Sequence, residues 1–227
     1  MEFEKVKSKL GSWADDFRPF IESEEFDKIF IELKRLSSQG SVIYPSNSDT
    51  FKPFLLTPKE DLTAVIICDY PYTDIPPDGL ALSCSKATQS SELLTLFFEQ
   101  IGKQCQLYDF DPKSVTDLTY LVEQGILLLN MSFTTEPGNT AAHLKIWREF
   151  VNFFLTKVLI QYVRPVPVLL LGKETSVLFD LIYPFQYCVM QISEPILEDS
   201  WKGITFFRDV DSFARQFMSK TITWTPN

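Results

Sequence analysis

Long hydrophobic runs are missing from this 227-residue sequence, whose apolar stretches, such as Ile126 to Leu129 and Val166 to Leu171, are all short. Crossing a bilayer takes about eighteen or more such residues, and the amino terminus is acidic and polar rather than built like a secretory leader. No membrane span and no secretion are expected, which leaves a cytoplasmic or nucleoid-associated location. Cysteine is also sparse. Cys68, Cys84, Cys105 and Cys188 form no closely spaced pairs, and Cys68 and Cys188 lie in apolar runs where the thiol acts as a small hydrophobe. That excludes a zinc or disulfide framework, and no metal or other cofactor is expected. Basic charge is scarce as well: 21 Lys and Arg face 30 Asp and Glu, a net charge of −9. Affinity for a phosphate backbone comes from basic side chains that displace counterions, so any nucleic-acid footprint must be local.

What the chain has is 45% hydrophobic residues, enough for one substantial core. Four β-branched, apolar segments read as buried strands: Ala64 to Cys68, Ile126 to Asn130, Val166 to Leu171 and Tyr187 to Gln191. Helical periodicity lies between them, over Ser91 to Gly102, Ser114 to Gln124, Ala142 to Gln161 and Thr175 to Ile182. Alternating strands and helices predict a three-layer α/β/α fold around a four-stranded, mainly parallel sheet with right-handed crossovers. An amphipathic helical stretch, Val6 to Leu36, packs outside that sheet by its Trp13, Phe17, Phe20 and Phe26 face. No repeat, linker or low-complexity segment interrupts the chain, so residues 1–227 read as a single domain.

Ligands of open parallel sheets bind beyond the carboxyl ends of the strands. The polar groups following the strands are Asp69 through Asp74, Asn130, Gly172 with Lys173, and Ser193 with Glu194. These loops are expected to line one cleft.

Read in order, the same loops resemble the family 1 uracil-DNA glycosylases. The segment Glu123-Gln124-Gly125-Ile126-Leu127-Leu128-Leu129-Asn130, followed by Thr134, His143 and Trp147, is similar to that family's Gln-Gly-Val-Leu-Leu-Leu-Asn pattern and the helix after it. Ile43-Tyr44-Pro45, the strand at Ala64, Gly79-Leu80 and Val168 to Gly172 match in sequence order, so the resemblance covers nearly the whole chain. It implies the family's fold, DNA as partner, extrusion of a pyrimidine nucleotide and hydrolysis of its N-glycosidic bond.

The departures fall at the chemistry. The family carries Gln-Asp-Pro-Tyr-His after its first strand, the aspartate stabilising positive charge on the departing sugar and positioning a water. Here the segment is Cys68-Asp69-Tyr70-Pro71-Tyr72-Thr73-Asp74. Matching Pro71-Tyr72 to Pro-Tyr puts Tyr70 at the aspartate's place, whereas counting back from Gly79 without a gap puts Asp69 there. Both alignments stand, with Asp69 the candidate catalytic group. The family's second catalytic element, a histidine after the fourth strand, has no counterpart in Ile192-Ser193-Glu194-Pro195. The one histidine, His143, reads as a capping or surface residue.

By the same resemblance the base pocket comprises Asn130, whose amide can pair with a pyrimidine edge, with Tyr70, Tyr72, and Leu82 in place of a stacking phenylalanine. The candidate DNA contacts are Ser90 and Ser91 at a helix start, Lys173 and Ser193, a wedge at Ile196 or Leu197, and Lys202 and Arg208 alongside Trp201. For several of these a structural role competes: a strand-end cap for Asn130, core for Leu82, an N-cap for the serines, a solvated cation for Lys173. Two functions follow. One is a monomeric DNA glycosylase acting on a non-standard pyrimidine, for example one with a bulky C5 substituent, in repair or anti-phage defence. The other is an inactive fold that binds DNA or a protein partner.

Overall fold

The computed structural model describes residues 2–161 and 164–226. Strands β1 (Ala64–Cys68), β2 (Ile126–Asn130), β3 (Pro167–Leu171) and β4 (Cys188–Ile192) form one sheet in the order β2-β1-β3-β4. Every pairing is parallel. The register aligns Cys68 with Asn130 and Leu171, and Leu171 with Ile192, so four loops leave the sheet from one row.

Because side chains alternate along a strand, each strand serves two cores. Val65, Ile67, Leu127, Leu129, Val168 and Leu170 face a cluster built with α1 (Glu2–Leu10), α2 (Ala14–Ile21), α3 (Glu24–Ser38) and α4 (Lys52–Leu56). Ala64, Ile66, Cys68, Leu128, Leu169 and Leu171 face a second cluster with α5 (Glu92–Cys105) and α6 (Thr119–Val122). Two later helices, α7 (Leu144–Phe153) and α8 (Phe179–Ile182), join the first layer, and α9 (Phe206–Met218) packs mainly with the second. The three-layer architecture is therefore the one the alternation of elements predicts, and the sheet is wholly parallel. No helix among the described residues is long and apolar enough to cross a membrane.

Local departures from the sequence pattern have visible causes. The helical periodicity from Ser114 to Gln124 yields only the single turn of α6. Backbone groups before it are committed elsewhere: Cys84 N–H donates to Thr116 O at 2.8 Å, and Leu118 N–H donates to the Ser83 hydroxyl. The Asp117 carboxylate then accepts from Thr119 N–H at 2.8 Å and starts the helix there. Further on, α7 continues through residues 154–159 with wider, π-type hydrogen bonding. The amino-terminal helix is broken into three pieces, one break falling at Gly11 with φ +55°.

Candidate active site

Asp69 is the first residue beyond β1, and it stands in the wall of a cavity of about 580 Å³ at the carboxyl ends of the strands. Its position depends on Gly172, the first residue beyond β3. Gly172 has φ +129°, and a β-carbon there would lie 2.2 Å from the Asp69 carboxyl carbon. The absence of a side chain lets the carboxylate lie against the backbone. Asp69 Oδ1 accepts from Thr175 N–H at 3.0 Å at the start of the turn over Glu174–Leu178. Partial burial raises the Asp69 pKa above the ordinary carboxylate value, against backbone N–H groups of Glu174, Thr175 and Lys173 that favour the ionised form. The outcome is a fixed, half-buried acid beside open space.

The rest of the wall is mostly apolar. Tyr70, Tyr72, Leu82, Ser91, Lys173, Ser193, Ile196 and Leu197, all anticipated from the sequence, do line it. Tyr70 is half-buried; burial first, and then the carboxylates of Glu174 and Asp69, push its phenol up to about 12. Leu82 holds a left-handed φ of +65°, which for a branched side chain is a strained conformation. Tyr72 is tied down: its hydroxyl donates to Leu82 O at 3.1 Å and pairs with Ser91 Oγ at 2.8 Å. With its proton given to Leu82, Tyr72 takes the proton of Ser91, whose oxygen in turn caps α5 by accepting from Leu94 N–H at 3.2 Å. Burial pushes the Tyr72 phenol up to about 12 as well.

Four anticipated residues are not in this wall. Asn130 ends β2 opposite Cys68 and, by strand alternation, shares its side of the sheet; Cys68 reaches the cavity and Asn130 does not. Asn130 is 5% exposed, and its Oδ1 is buried without a hydrogen-bond partner. The common recess expected for Asp69 and Asn130 is therefore corrected to a cavity bounded by Asp69, with Asn130 beside it. Ser90 spends its hydroxyl on the carbonyls of Pro112 and Val115, which removes it as a phosphate ligand. Lys202 is outside the wall and pairs with Asp199 at 3.0 Å. Arg208 sits in the first turn of α9 near Cys105, at the end of α5 far from Ser91, roughly 20 Å along the helix axis.

Two further expectations change. Trp201 is a core residue, 3% exposed, stacked on Phe207 with its indole N–H donated to Pro195 O at 2.9 Å. It anchors the loop that carries Ile196 and Leu197. His143 is fully buried rather than on the surface, and lies outside the cavity wall. Trp147 Nε1–H donates to Thr134 Oγ1 at 2.7 Å, and Thr134 passes its own proton to His143 Nδ1 at 2.9 Å. That leaves the His143 proton on Nε2, facing Glu136 at 3.4 Å. Burial lowers the His143 pKa, opposed by Glu136.

Residues the sequence did not single out also line the cavity, among them Leu93 and Thr140. Helical spacing exposes Leu93 on the first turn of α5, but nothing in the sequence brings Thr140 across from the β2–α7 loop. No group of three or more His, Cys, Asp or Glu side chains among the described residues could hold a metal ion.

Comparison with known proteins gives this geometry a family. No family model matches the chain. Uracil-DNA glycosylase 1 of Listeria innocua is 30% identical over 160 residues, covering 68% of this chain and 71% of that protein. Uracil-DNA glycosylase of Dichelobacter nodosus is 26% identical over 217 residues, covering 94% and 93%. Among solved structures, mimivirus uracil-DNA glycosylase superposes with a TM-score of 0.84 at 16% identity, covering 96% of this chain and 88% of that one. With strand order, the site at the strand ends and sequence identity in agreement, this chain belongs to the uracil-DNA glycosylase family.

Proposed function

We propose that this chain, acting as a single-domain monomer, is a DNA N-glycosylase for a non-standard pyrimidine, one with a bulky C5 substituent, in repair or anti-phage defence. The observation that carries the reading is the Asp69 carboxylate, fixed beside Gly172 in the wall of a cavity large enough for an extruded base. As the glycosidic bond breaks, the base leaves with its electron pair and the sugar becomes oxocarbenium-like. A carboxylate held by backbone N–H groups in a site of low polarity stabilises that charge without reorganising. Water then bonds to C1′, and the proton it gives up neutralises the departed base, so that an abasic site and the free base remain. No imidazole lines the cavity to stabilise the departing base, which favours bases that leave more easily than uracil. Leu82 in place of an aromatic wall leaves room for a substituent.

A second reading, an inactive module that binds DNA or a protein, is favoured by the closed Tyr72 contacts and by Asn130 lying off the wall. The two separate on a substrate panel. Oligonucleotides carrying uracil, 5-hydroxymethyl or glucosylated pyrimidines are incubated with the protein and scored for abasic sites by alkaline strand scission. Release of a substituted pyrimidine ahead of uracil is the expected result; no abasic site from any of them, with the protein folded, leaves the inactive module.

A further inference from the structure

The charges around the mouth of the cavity have the wrong sign for a phosphate grip. Its wall carries the carboxylates of Asp69, Asp74 and Glu194 against the single ammonium of Lys173. A depression that shares Ile196 with it carries Glu92, Glu99 and Glu198 against Lys113. Glu198 is engaged by Lys103, which leaves five carboxylates facing two ammonium groups. Two of the neutral groups expected to grip phosphates are also spent: Ser90 donates to two carbonyls, and Ser91 caps α5 while bonding Tyr72, which leaves Ser193. What the mouth offers instead is apolar surface. Ile196 is 53% exposed and Leu197 48%, and Tyr70 and Leu93 continue the surface inward.

We infer that this site holds an unpaired nucleic-acid strand by its bases and gains almost nothing from its phosphates. Binding through counterion release needs cations at the interface, and the mouth has two. Stacking of a base on an aromatic side chain such as Tyr70 is worth about 1–3 kcal/mol, a contribution that does not come from the backbone charge. A duplex hides its bases and brings two rows of phosphates against Asp74 and Glu194, so the partner is a single strand with its bases turned towards Tyr70, Leu93, Ile196 and Leu197. This inference rests on the glycosylase reading of the cavity, and its test is separable from that reading.

The test measures binding by fluorescence anisotropy for three probes: a single-stranded oligonucleotide, its duplex, and the same single strand with uncharged methylphosphonate linkages. Raising salt from about 50 to about 200 mM weakens the single strand less than about tenfold, where a protein making six to ten phosphate contacts loses about 10³-fold or more. The methylphosphonate strand binds at least as tightly as the charged one, and the duplex binds more weakly than either. Asp74→Asn with Glu194→Gln, both at exposed positions, tightens binding of the charged strand severalfold at low salt and leaves the uncharged strand unchanged. A salt loss of about 10³-fold, weaker binding of the uncharged strand, preference for duplex, or no binding to any probe overturns the inference. Abasic sites scored on the same samples keep the two ideas apart. Salt-insensitive binding without cleavage removes the glycosylase and keeps the base grip, whereas cleavage with steep salt dependence does the reverse.

Discussion

The aromatic layer on one face of the sheet and the cavity at the carboxyl ends of its strands are built by opposite rules. On the face covered by the amino-terminal helices, Phe150 sits among Phe17 at 4.9 Å, Phe133 at 5.1 Å, Phe51 at 5.5 Å and both Trp147 and Phe20 at 5.7 Å, with Phe54 beyond at 6.1 Å. Each ring there has several partners, and around Phe150 the contacts are stacked with Phe17, edge-on with Phe133, Trp147, Phe20 and Phe54, and tilted with Phe51. At the cavity, single groups carry each feature: a half-buried acid, a leucine with positive φ and a glycine under a carboxylate, with an unpaired amide oxygen buried beside it. Strain and unsatisfied polarity persist only where the surroundings enforce them, and they gather at functional sites. The aromatic layer supplies stability that the cavity end of the sheet gives up.

That contrast can be broken at either end. The largest effect belongs to Phe150→Ala, which empties the centre of the aromatic cluster and is expected to cost about 3–5 kcal/mol, measured by denaturant unfolding. A small loss would show that the layer is not the stabilising half. Next is Asp69→Asn. It keeps an acceptor for Thr175 N–H and removes the charge, so glycosidic cleavage on the best substrate of the panel is expected to fall about 10²–10³-fold. Its effect on stability has the opposite sign. A carboxyl whose folded pKa is raised contributes stability that is present below the ordinary carboxylate range and lost as pH rises through the raised value. At neutral pH the asparagine variant is therefore at least as stable as the native chain, and the difference closes on acidification. A destabilised Asp69→Asn would make the acid a structural cap instead.

Gly172→Ala is expected to lose about 1–3 kcal/mol from backbone strain and to lower cleavage further, because the new β-carbon displaces Asp69. Thermal unfolding and the abasic-site assay report the two parts separately. The smallest effect is that of His143→Gln on the pH profile. The His143 pKa is lowered by folding, so its contribution is intact above the usual imidazole value of about 6.5 and is lost as pH falls through that value towards the depressed one. With one histidine in the chain, the stability profile across that window should flatten in the variant. An unchanged profile would mean that the buried imidazole does not titrate on unfolding.

Much of the scaffold could be read from residue patterns. The run Ala64 to Cys68 and the run Ile126 to Asn130 are strands with those same bounds, because uninterrupted β-branched and aliphatic segments are stable only inside a covered parallel sheet. The segment from Ser114 to Gln124 misled, since helical periodicity says nothing about the backbone donors that the loop around Ser83 and Cys84 competes for. At the site, Asp69, Tyr70 and Tyr72 are placed by their position after β1, whereas Leu82 is placed by the resemblance to the family 1 uracil-DNA glycosylases. Ser90, Lys202 and Arg208 were not separable from true neighbours of the cavity, because a hydroxyl's or a cation's partner is chosen by a distant segment.

By itself, then, the sequence determined the strands, their parallel direction and the end of the sheet where loops converge, since periodicity and burial act over a few residues. Only the tertiary structure decided that Asp69 rests on Gly172, that Tyr72 closes on Leu82 and Ser91, and that Asn130 keeps an unpaired acceptor beside the cavity instead of in its wall. Those outcomes depend on which side chains reach one another across loops remote in the chain, and local preference carries no record of that distance.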